Sequence, residues 1–362
     1  MAFEVNPVAS AKDKAAFIDF VYEVYSGNPM YRDNLCFTSK NLIYRKDSFA
    51  QQCLIEPLFV QEDGRAVARC ALVIHPGLDA VQVALFEALP DCRPAVDLLL
   101  EAARGFALQH GKDRVVIGIN GHNSFGIGFL CDRFDEPNPF DGIYTPGYYI
   151  DYFRGRGFAE HPVSTYFVQV TDIDISQRLL DRVYRQFTFR TADLSDLRGE
   201  MEVLGALFNE TLAGTPFFFA RPIEEWYETF FDLKPLLNGE NIIYALKDGR
   251  EVGFLFWHPD YNMVLQRNRK NSTAGFFLRY LLGRRKINQM KINAIGILPE
   301  YQRSGVILGL FDQLWQAIAG RYSGGETGFV FDANTASTSI CRRFCGSAYK
   351  HYVVFEAEAA RL

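Results

Sequence analysis

The segment from Ile295 to Leu308 has residue types and a spacing that could bind a phosphate-bearing ligand. It is predicted to be a strand, a short turn and then a helix, with Gly305 at the start of the helix. Glycine allows backbone N–H groups to converge, and a helix N-terminus adds unpaired donors and the positive end of the helix dipole. Arg303 adds a formal charge beside them. This combination suits a diphosphate, and a plain strand-to-helix turn is the alternative.

The second feature is the charge of the residues between Tyr261 and Pro299. This segment contains no acidic residue and eight basic ones: Arg267, Arg269, Lys270, Arg279, Arg284, Arg285, Lys286 and Lys291. Because the formal charge of the whole chain is −5, the segment carries +8 and the remainder −13. A basic region next to a phosphate-binding turn would concentrate an anionic ligand. A solvated basic surface, a nucleic acid and an anionic membrane surface are the alternatives.

Other chemistries find little support in the residue pattern. The six histidines show no HExxH or similar metal-ligand spacing, and Ser124 lacks the context of a serine hydrolase. The seven cysteines are scattered without a CxxC motif, so we expect reduced thiols and a cytoplasmic protein. Cys341 and Cys345 lie four residues apart, but two thiols alone are a weak metal site. We therefore expect no metal.

The length and composition indicate a globular protein of two domains. The chain has 362 residues, of which 48% are hydrophobic and 15% aromatic, as expected for well-filled cores. No apolar run approaches the ~20 residues that cross a bilayer, and the first residues do not form a secretory signal. The weakly acidic net charge argues against non-specific nucleic-acid binding. We therefore expect neither a membrane span nor a DNA partner.

The predicted elements follow the same order in both halves of the chain. Each half has a charged hairpin turn, at Asp63-Gly64 and at Asp248-Gly249. In each half, a strand then leads into a long helix, and a short helix ending in glycine follows later. The order recurs after about 180 residues, with a polar boundary at Thr171–Tyr184. We predict an α+β fold with lobes at 1–175 and 176–362, each a central mixed, mostly antiparallel sheet flanked by helices.

The segment around Gly305 resembles the coenzyme A loop of the GNAT acyltransferase superfamily. In that family a strand is followed by Val-x-Pro, an aromatic residue and Gln/Arg-x-x-Gly-x-Gly/Ala. The matching residues are Ile297 in place of the valine, Pro299, Tyr301, Gln302 and Gly305. Ile307 stands where the family has its last small residue. The resemblance therefore covers the strand, the turn and the start of the helix.

The flanking segments resemble the same family. Glu251–Asn262 is similar to its third strand, and Asp332–Asn334 with the short helix after it is similar to its fifth strand and fourth helix. Tyr148–Phe158 resembles that helix again in the first half. The whole chain is similar to uncharacterised bacterial tandem-GNAT proteins. The first half lacks the loop, because Leu89–Val96 has no glycine and its Pro94 removes a backbone donor.

The resemblance implies acyl transfer from a thioester to an amine. A backbone N–H at Ile297 or Leu298 would polarise the thioester carbonyl, and Asp332 would be a candidate base, with Glu300 as a second candidate. The place of the tyrosine that often acts as the acid in this family falls on Cys341 or Arg342, so that tyrosine is absent and the Cys341 thiol would be the candidate acid. The cofactor-binding residues that the resemblance implies are Ile297, Leu298, Gln302, Arg303, Ser304, Gly305, Val306, Ile307 and Asn334.

Together these features predict an acyltransferase that takes an acyl group from acetyl-CoA or a longer acyl-CoA. The second lobe would bind the acyl-CoA, and the first would bind no coenzyme A. The first lobe would shape the site of a small-molecule amine, with Asn120–Gly147 and Phe217–Phe231 as walls. Two alternatives stay open. One is a Fem-type transferase that uses aminoacyl-tRNA, and the other is a non-catalytic binding protein built on degenerate lobes.

Overall fold

The computed structural model describes residues 3–172, 175–267 and 269–362, which form two sheets flanked by helices. In chain order, the elements up to residue 165 are β1 (Phe3–Pro7), α1 (Ala11–Asp19), α2 (Val21–Val24), α3 (Phe37–Tyr44), α4 (Ser48–Gln52), β2 (Leu54–Glu62), β3 (Arg65–Ile74), β4 (Val81–Ala88), α5 (Arg93–Gln109), β5 (Arg114–Ile117), β6 (Phe129–Leu130), α6 (Tyr148–Phe153) and β7 (Ala159–Thr165). The later elements are β8 (Phe167–Gln169), α7 (Gln177–Tyr184), β9 (Thr188–Thr191), α8 (Leu197–Thr211), α9 (Ile223–Leu233), β10 (Ile242–Lys247), β11 (Arg250–Pro259), α10 (Thr273–Gly283), β12 (Gln289–Ile297), α11 (Val306–Ile318), β13 (Gly324–Thr327), β14 (Val330–Phe331), α12 (Thr335–Cys345) and β15 (Lys350–Glu358).

The two sheets exchange strands. The first has the order β1-β2-β3-β4-β5-β15-β7-β14, with β6 beside β15, and the second has the order β8-β13-β12-β11-β10-β9. The late strand β15 thus lies inside the first sheet, where Phe355 pairs with Ile117 and Val354 with His161. The early strand β8 closes the second sheet against β13. Among the described strands, each sheet has one parallel pair, β4–β5 and β12–β13.

Apolar strands build the core on both faces of the first sheet. In β3, Ala71 and Val73 pack into the cluster under α1 and α4, whereas Cys70 and Leu72 pack into the cluster under α5. This split follows from strand geometry, because successive side chains point to opposite faces. The second sheet packs with α8, α9 and α11 into one further cluster. Each lobe therefore has its own core.

The predicted α+β architecture of two lobes is confirmed. Both Asp-Gly turns are present, with positive φ at Asp63, Gly64, Asp248 and Gly249, as two-residue hairpin turns require. The polar boundary at Thr171–Tyr184 is not all linker: it contains α7, although its residues 173 and 174 lie outside the described residues. None of the helices in the described ranges is both long and apolar enough to span a membrane.

Candidate active site

The second sheet opens along one edge of β12. β12 and β13 run parallel and pair only as far as Ile292 and Thr327. Beyond Thr327 the chain leaves this sheet, and Val330 pairs with Ser164 of the first sheet. β12 continues to Ile297 along β11. The two parallel strands therefore diverge, and no other described strand pairs with this edge of β12 after residue 292.

The hydrogen bonds around the turn show which amides face this opening. Leu298 N–H donates to Val252 O of β11 at 2.9 Å. Because consecutive residues of an antiparallel strand direct their N–H groups to opposite sides, the N–H of Ile297 points away from β11 and into the opening. The Ile297 carbonyl points the same way and accepts from Gln302 Nε2 at 3.3 Å. Of the two predicted amides, Ile297 faces the opening and Leu298 does not.

A β-bulge at Asn293 marks the start of the opening. The register between β11 and β12 passes from Phe256↔Ala294 to Trp257↔Ile292, so Asn293 has no opposite residue. The side-chain oxygen of Asn293 is buried and accepts no hydrogen bond from the described residues. Asn293 also lines the cavity described below. Its side chain is therefore an acceptor that a ligand N–H or O–H could use.

The turn after β12 has the conformation that the sequence predicts. Gly305 adopts φ +83° and is the N-cap of α11. A side chain there would meet only Val183 Cγ2, at 3.7 Å, so the backbone conformation rather than crowding requires glycine. Ser304 Oγ donates to Tyr301 O at 2.7 Å and accepts from Val306 N–H at 3.3 Å. The turn is thus fixed by its own side chains, and α11 points its N-terminus toward it.

A cavity of about 1090 Å³ lies between the lobes and includes the opening. Five of the predicted cofactor residues line it: Ile297, Gln302, Arg303, Ile307 and Asn334. Leu298, Ser304, Gly305 and Val306 form the turn but not the cavity wall. The cofactor residues that the sequence predicts therefore divide into those that face the cavity and those that hold the turn.

The predicted catalytic side chains have different surroundings. Asp332 is exposed, accepts from Ser164 Oγ at 2.7 Å and is not part of the cavity wall. Cys341 on α12 lines the cavity, and burial raises the pKa of its thiol to about 11. Asn334 is the N-cap of α12 and accepts from Ser337 N–H at 3.1 Å. The structure thus brings Cys341 and Asn334 to the cavity and leaves Asp332 outside it.

The basic segment is not where the sequence suggested. Seven of its eight residues precede β12 in the chain, whereas the Gly305 turn follows β12, a strand of nine residues that is about 27 Å long. Only Lys291 lines the cavity; its ammonium donates to Asp141 O at 2.6 Å. The expected basic region beside the turn is therefore wrong, because residues adjacent in sequence lie at opposite ends of a strand.

Sequence reasoning missed a buried charged pair in the first lobe. Arg69 Nη2 lies 4.0 Å from Glu87 Oε1, and both residues line the cavity. Tyr149 donates its hydroxyl to Glu87 Oε2 at 2.7 Å, while burial raises the pKa of Glu87. Arg69 is 1% exposed, and its Nε and Nη1 have no partner among the described residues. The sequence did contain a signal for this pair, because Arg69 in β3 and Glu87 in β4 are each surrounded by apolar residues of their own strand.

The first lobe contains a similar pair of diverging strands, but its opening is filled. β4 and β5 pair as far as Val83↔Ile117, and β4 then continues to Ala88 along β3 without β5. The side-chain oxygen of Asn120 accepts from Leu85 N–H at 2.8 Å. Where the turn after β12 would have its counterpart, Tyr152 donates to Leu89 O at 2.5 Å and accepts from Cys92 N–H at 3.2 Å. Leu89 N–H donates to Val67 O as Leu298 N–H does to Val252 O, so Ala88 is the counterpart of Ile297, and its N–H donates to the Tyr149 hydroxyl at 2.9 Å. A side chain of the first lobe thus occupies the amide that is open in the second lobe.

Both segments predicted as walls line the cavity and connect the lobes. Ser124 N–H donates to His122 Nδ1, so His122 Nε2–H donates to Phe219 O at 3.0 Å. Burial lowers the pKa of His122 to about 3, which keeps the ring neutral. Arg221 and Glu225 form a fully buried ion pair at 2.9 Å in the same wall. The side of the cavity facing the first lobe is therefore tightly fixed.

Proteins related in sequence share only low identity with this chain. No known family profile matches it. Protein YghO of Escherichia coli K12 is 22% identical over 377 residues, which cover 98% of this chain and 95% of that protein. A bacterial ceramide synthase of Caulobacter vibrioides is 25% identical over 278 residues, which cover 73% of this chain and 72% of that protein.

Several solved structures share the fold. A GCN5-related glucosamine N-acetyltransferase region of a fungal multi-domain β-N-acetylglucosaminidase has a TM-score of 0.61 at 15% identity, covering 98% of this chain and 38% of that larger one. A probable N-acyltransferase of Enterococcus faecalis has a TM-score of 0.58 at 8% identity, covering 99% and 72%. A tandem GNAT protein from the clavulanic acid pathway has a TM-score of 0.57 at 12% identity, covering 99% of both chains. The present chain therefore has the tandem-GNAT fold, with two GNAT-like lobes in a single polypeptide.

Proposed function

We propose that this protein is an acyl-CoA-dependent N-acyltransferase that moves an acetyl or longer acyl group to the amine of a small molecule. The observation that carries the proposal is the open edge of β12, where the Ile297 amide faces a cavity bordered by the Gly305 turn. The names of the fold neighbours support it. The name of the Caulobacter relative supports it too, because a ceramide is an N-acylated amine.

The turn would hold the diphosphate of coenzyme A. The backbone N–H groups of Arg303, Gly305 and Ile307 supply donors, and the N-terminus of α11 supplies the favourable dipole. Arg303 adds a positive charge at the cavity wall, while Asn334 borders the cavity from α12. Ser304, Gly305 and Val306 keep this backbone in place. No metal is needed for this mode of binding.

In the proposed reaction the acceptor nitrogen attacks the thioester carbonyl carbon. The Ile297 N–H stabilises the negative charge that develops on the carbonyl oxygen. The C–S bond then breaks, giving an amide and a coenzyme A thiolate, and the nitrogen releases its proton to solvent because Asp332 lies outside the cavity. The Cys341 thiol, with its raised pKa, gives up a proton less readily than an ordinary thiol near ~8.5. Cys341 is therefore assigned to the wall of the site, and the thiolate leaves unprotonated.

The two lobes would bind different substrates. Residues 176–362 bind the acyl-CoA, and residues 1–175 shape the acceptor site. The occupied amide of Ala88 supports the inference that the first lobe takes no coenzyme A. The cavity extends to Arg69 and Glu87, which could contact a polar group of the acceptor, while many other lining side chains are apolar. We infer an acceptor with both a polar and an apolar part.

Ligand-dependent stabilisation tests donor binding. Acetyl-CoA and longer acyl-CoAs should raise the melting temperature, because a ligand that binds only the folded state stabilises it. Gly305→Glu should abolish the rise by placing a carboxylate at the diphosphate site. Gly249→Glu is the matched control, since Gly249 has the same positive φ with open space around it. The absence of any rise at millimolar acyl-CoA, or its persistence in Gly305→Glu, would refute the proposal.

Turnover separates the proposal from its alternatives. Release of the coenzyme A thiol should depend on an added amine, and mass spectrometry should find the corresponding amide. Binding of acyl-CoA without turnover across a broad amine panel would instead support a non-catalytic binding protein. Transfer from aminoacyl-tRNA with no response to acyl-CoA would support the Fem-type alternative.

A further inference from the structure

Helix α10 exposes a row of leucines to solvent. Leu278, Leu281 and Leu282 are 60%, 63% and 79% exposed, the three highest values among the large apolar side chains of the described residues. Their spacing of three and four residues places them on one face of the helix. Met263, on the turn against which α10 packs, is a further exposed apolar side chain at 43%. Such a concentration marks an interaction surface.

The opposite face of α10 is anchored in the protein. Phe276 is fully buried and packs with Phe140 and Tyr261 in a small aromatic cluster. Arg279 donates to Val264 O at 3.1 Å and to Asn271 Oδ1 at 2.6 Å. These contacts fix the rotation of the helix, so the leucines cannot turn inward without breaking the cluster.

Positive charge surrounds the leucines. Six basic residues near α10 are exposed: Arg267, Arg269, Lys270, Arg284, Arg285 and Lys286. Lys270 pairs with Asp19, whereas the other five form no ion pair with a carboxylate of the described residues. Because the segment contains no acidic residue, nothing within it neutralises this charge. As shown above, these residues lie far from the Gly305 turn, so coenzyme A does not account for them.

We propose that α10 and its basic flanks, residues 261–267 and 269–286, dock this protein on an anionic lipid surface. Exposed leucines on a helix with exposed basic residues beside both of its ends suit a segment that lies in the membrane interface. Basic clusters add attraction to anionic headgroups. A second copy fits less well, because docking of the same face would bring the uncompensated charges of both copies together. A nucleic acid would account for the charges but not for the three leucines.

The docking surface adjoins the cavity. The ring of Phe276 stacks on that of Phe140, with centroids 6.4 Å apart, and Phe140 lines the cavity. Docking would therefore bring one end of the cavity close to the lipid. The docking itself does not depend on acyl transfer, so its test uses no activity assay.

Vesicle sedimentation of the full chain tests the proposal. We expect binding to phosphatidylcholine vesicles that contain about a third phosphatidylglycerol, weaker binding at high salt, and little binding to phosphatidylcholine alone. Replacing Leu278, Leu281 and Leu282 by serine, or Arg284, Arg285 and Lys286 by glutamate, should lower the bound fraction at least several-fold. These side chains are exposed, so the melting temperature of the variants should stay unchanged.

Matched controls locate the effect. Leu108→Ser removes another exposed leucine, and Arg178→Glu, Arg182→Glu and Arg185→Glu together reverse three exposed charges on α7 and at its C-cap. Both should retain vesicle binding. Absence of binding to anionic vesicles, equal binding to neutral ones, or an equal loss in the controls would overturn the proposal. So would a dimer in light scattering that the leucine variant dissociates, because it would make a second copy the occupant.

Discussion

The two lobes contain the same diverging pair of parallel strands and use it differently. In the second lobe the edge of β12 is open, and Ile297 presents its amide to the cavity. In the first lobe the N–H of Ala88, the counterpart of Ile297, donates to the Tyr149 hydroxyl, and Tyr152 bonds to the backbone of the following turn. The comparison shows that topology supplies the opening, whereas a few side chains decide whether a ligand could enter it.

The largest difference is expected for charge reversal in the two turns. Arg303→Glu should weaken acyl-CoA binding about 10- to 100-fold, since a hydrogen bond to a charged group contributes ~1.5–3 kcal/mol. Arg93→Glu is the counterpart in the first lobe, where Arg93 donates to Asp151 O instead. It should leave the affinity unchanged. Isothermal titration of both variants checks this, and equal losses would show that the first lobe also binds the donor.

Removal of the asparagine at each opening should affect stability unequally. Asn120→Ala leaves the Leu85 amide without its partner and should cost ~1–3 kcal/mol in the free energy of unfolding. Asn293→Ala removes an oxygen that has no partner among the described residues, and should change stability by no more than about 0.5 kcal/mol. Urea titration measures both. A costly Asn293→Ala would mean that the second opening is also filled from within.

Acid should loosen the buried ring cluster around Phe219, which contains His75 and His122. Burial lowers the pKa of His122 to about 3 and that of His75 to about 4, both below the ~6.5 of an unfolded chain. The unfolded state therefore binds more protons below pH 6.5, and the free energy of unfolding falls as the pH drops from there. Each histidine contributes up to about 1.4 kcal/mol per pH unit.

Urea titrations from pH 7 to 5 measure this slope. His75→Phe should reduce it while keeping the ring between Phe49 and Phe219. If the free energy of unfolding fell equally steeply with pH in His75→Phe and in the wild type, His75 would not be a source of the pH dependence.

The smallest effects are expected for side chains near the open edge of the second lobe. Cys341→Ala and Asp332→Asn should change kcat less than about threefold, because the proposed catalysis relies on the Ile297 backbone amide. Steady-state kinetics with a productive amine checks both. A decrease in kcat of about 100-fold or more in either variant would indicate that the replaced side chain acts as a general acid or base.

Local signals in the sequence were sufficient for part of the site. The strand, the turn and α11 follow one another directly in the sequence. A glycine at position 305 is itself an indication of the positive φ that the structure shows. The hairpins at Gly64 and Gly249 were predictable for the same reason. N–H groups alternate in direction along β12, so the single hydrogen bond from Leu298 N–H to Val252 O is enough to show that the Ile297 N–H faces the opening.

Contacts between residues far apart in the chain could not be predicted from the sequence. The pairing of Glu87 with Arg69 and of Asn120 with Leu85 depends on strand register, and the exchange of β15 joins positions far apart in the chain. The basic segment shows the converse, because proximity in sequence to the Gly305 turn did not give proximity in space. α10 escaped prediction for a related reason: its apolar residues surround the helix rather than forming one stripe.

The exchanged strand β15 has a consequence for biosynthesis. Its residues lie between β5 and β7 in the first sheet, so that sheet cannot be completed before residue 358 has left the ribosome. Roughly 240 residues separate Ile117 from its partner Phe355, which at about 5–20 residues per second is on the order of 10–50 s of translation. During that time β5 and β7 present unpaired edges, a state that favours aggregation. The first lobe, although synthesised first, would therefore be the last to finish folding, and a nascent chain stalled before β15 should depend on chaperones.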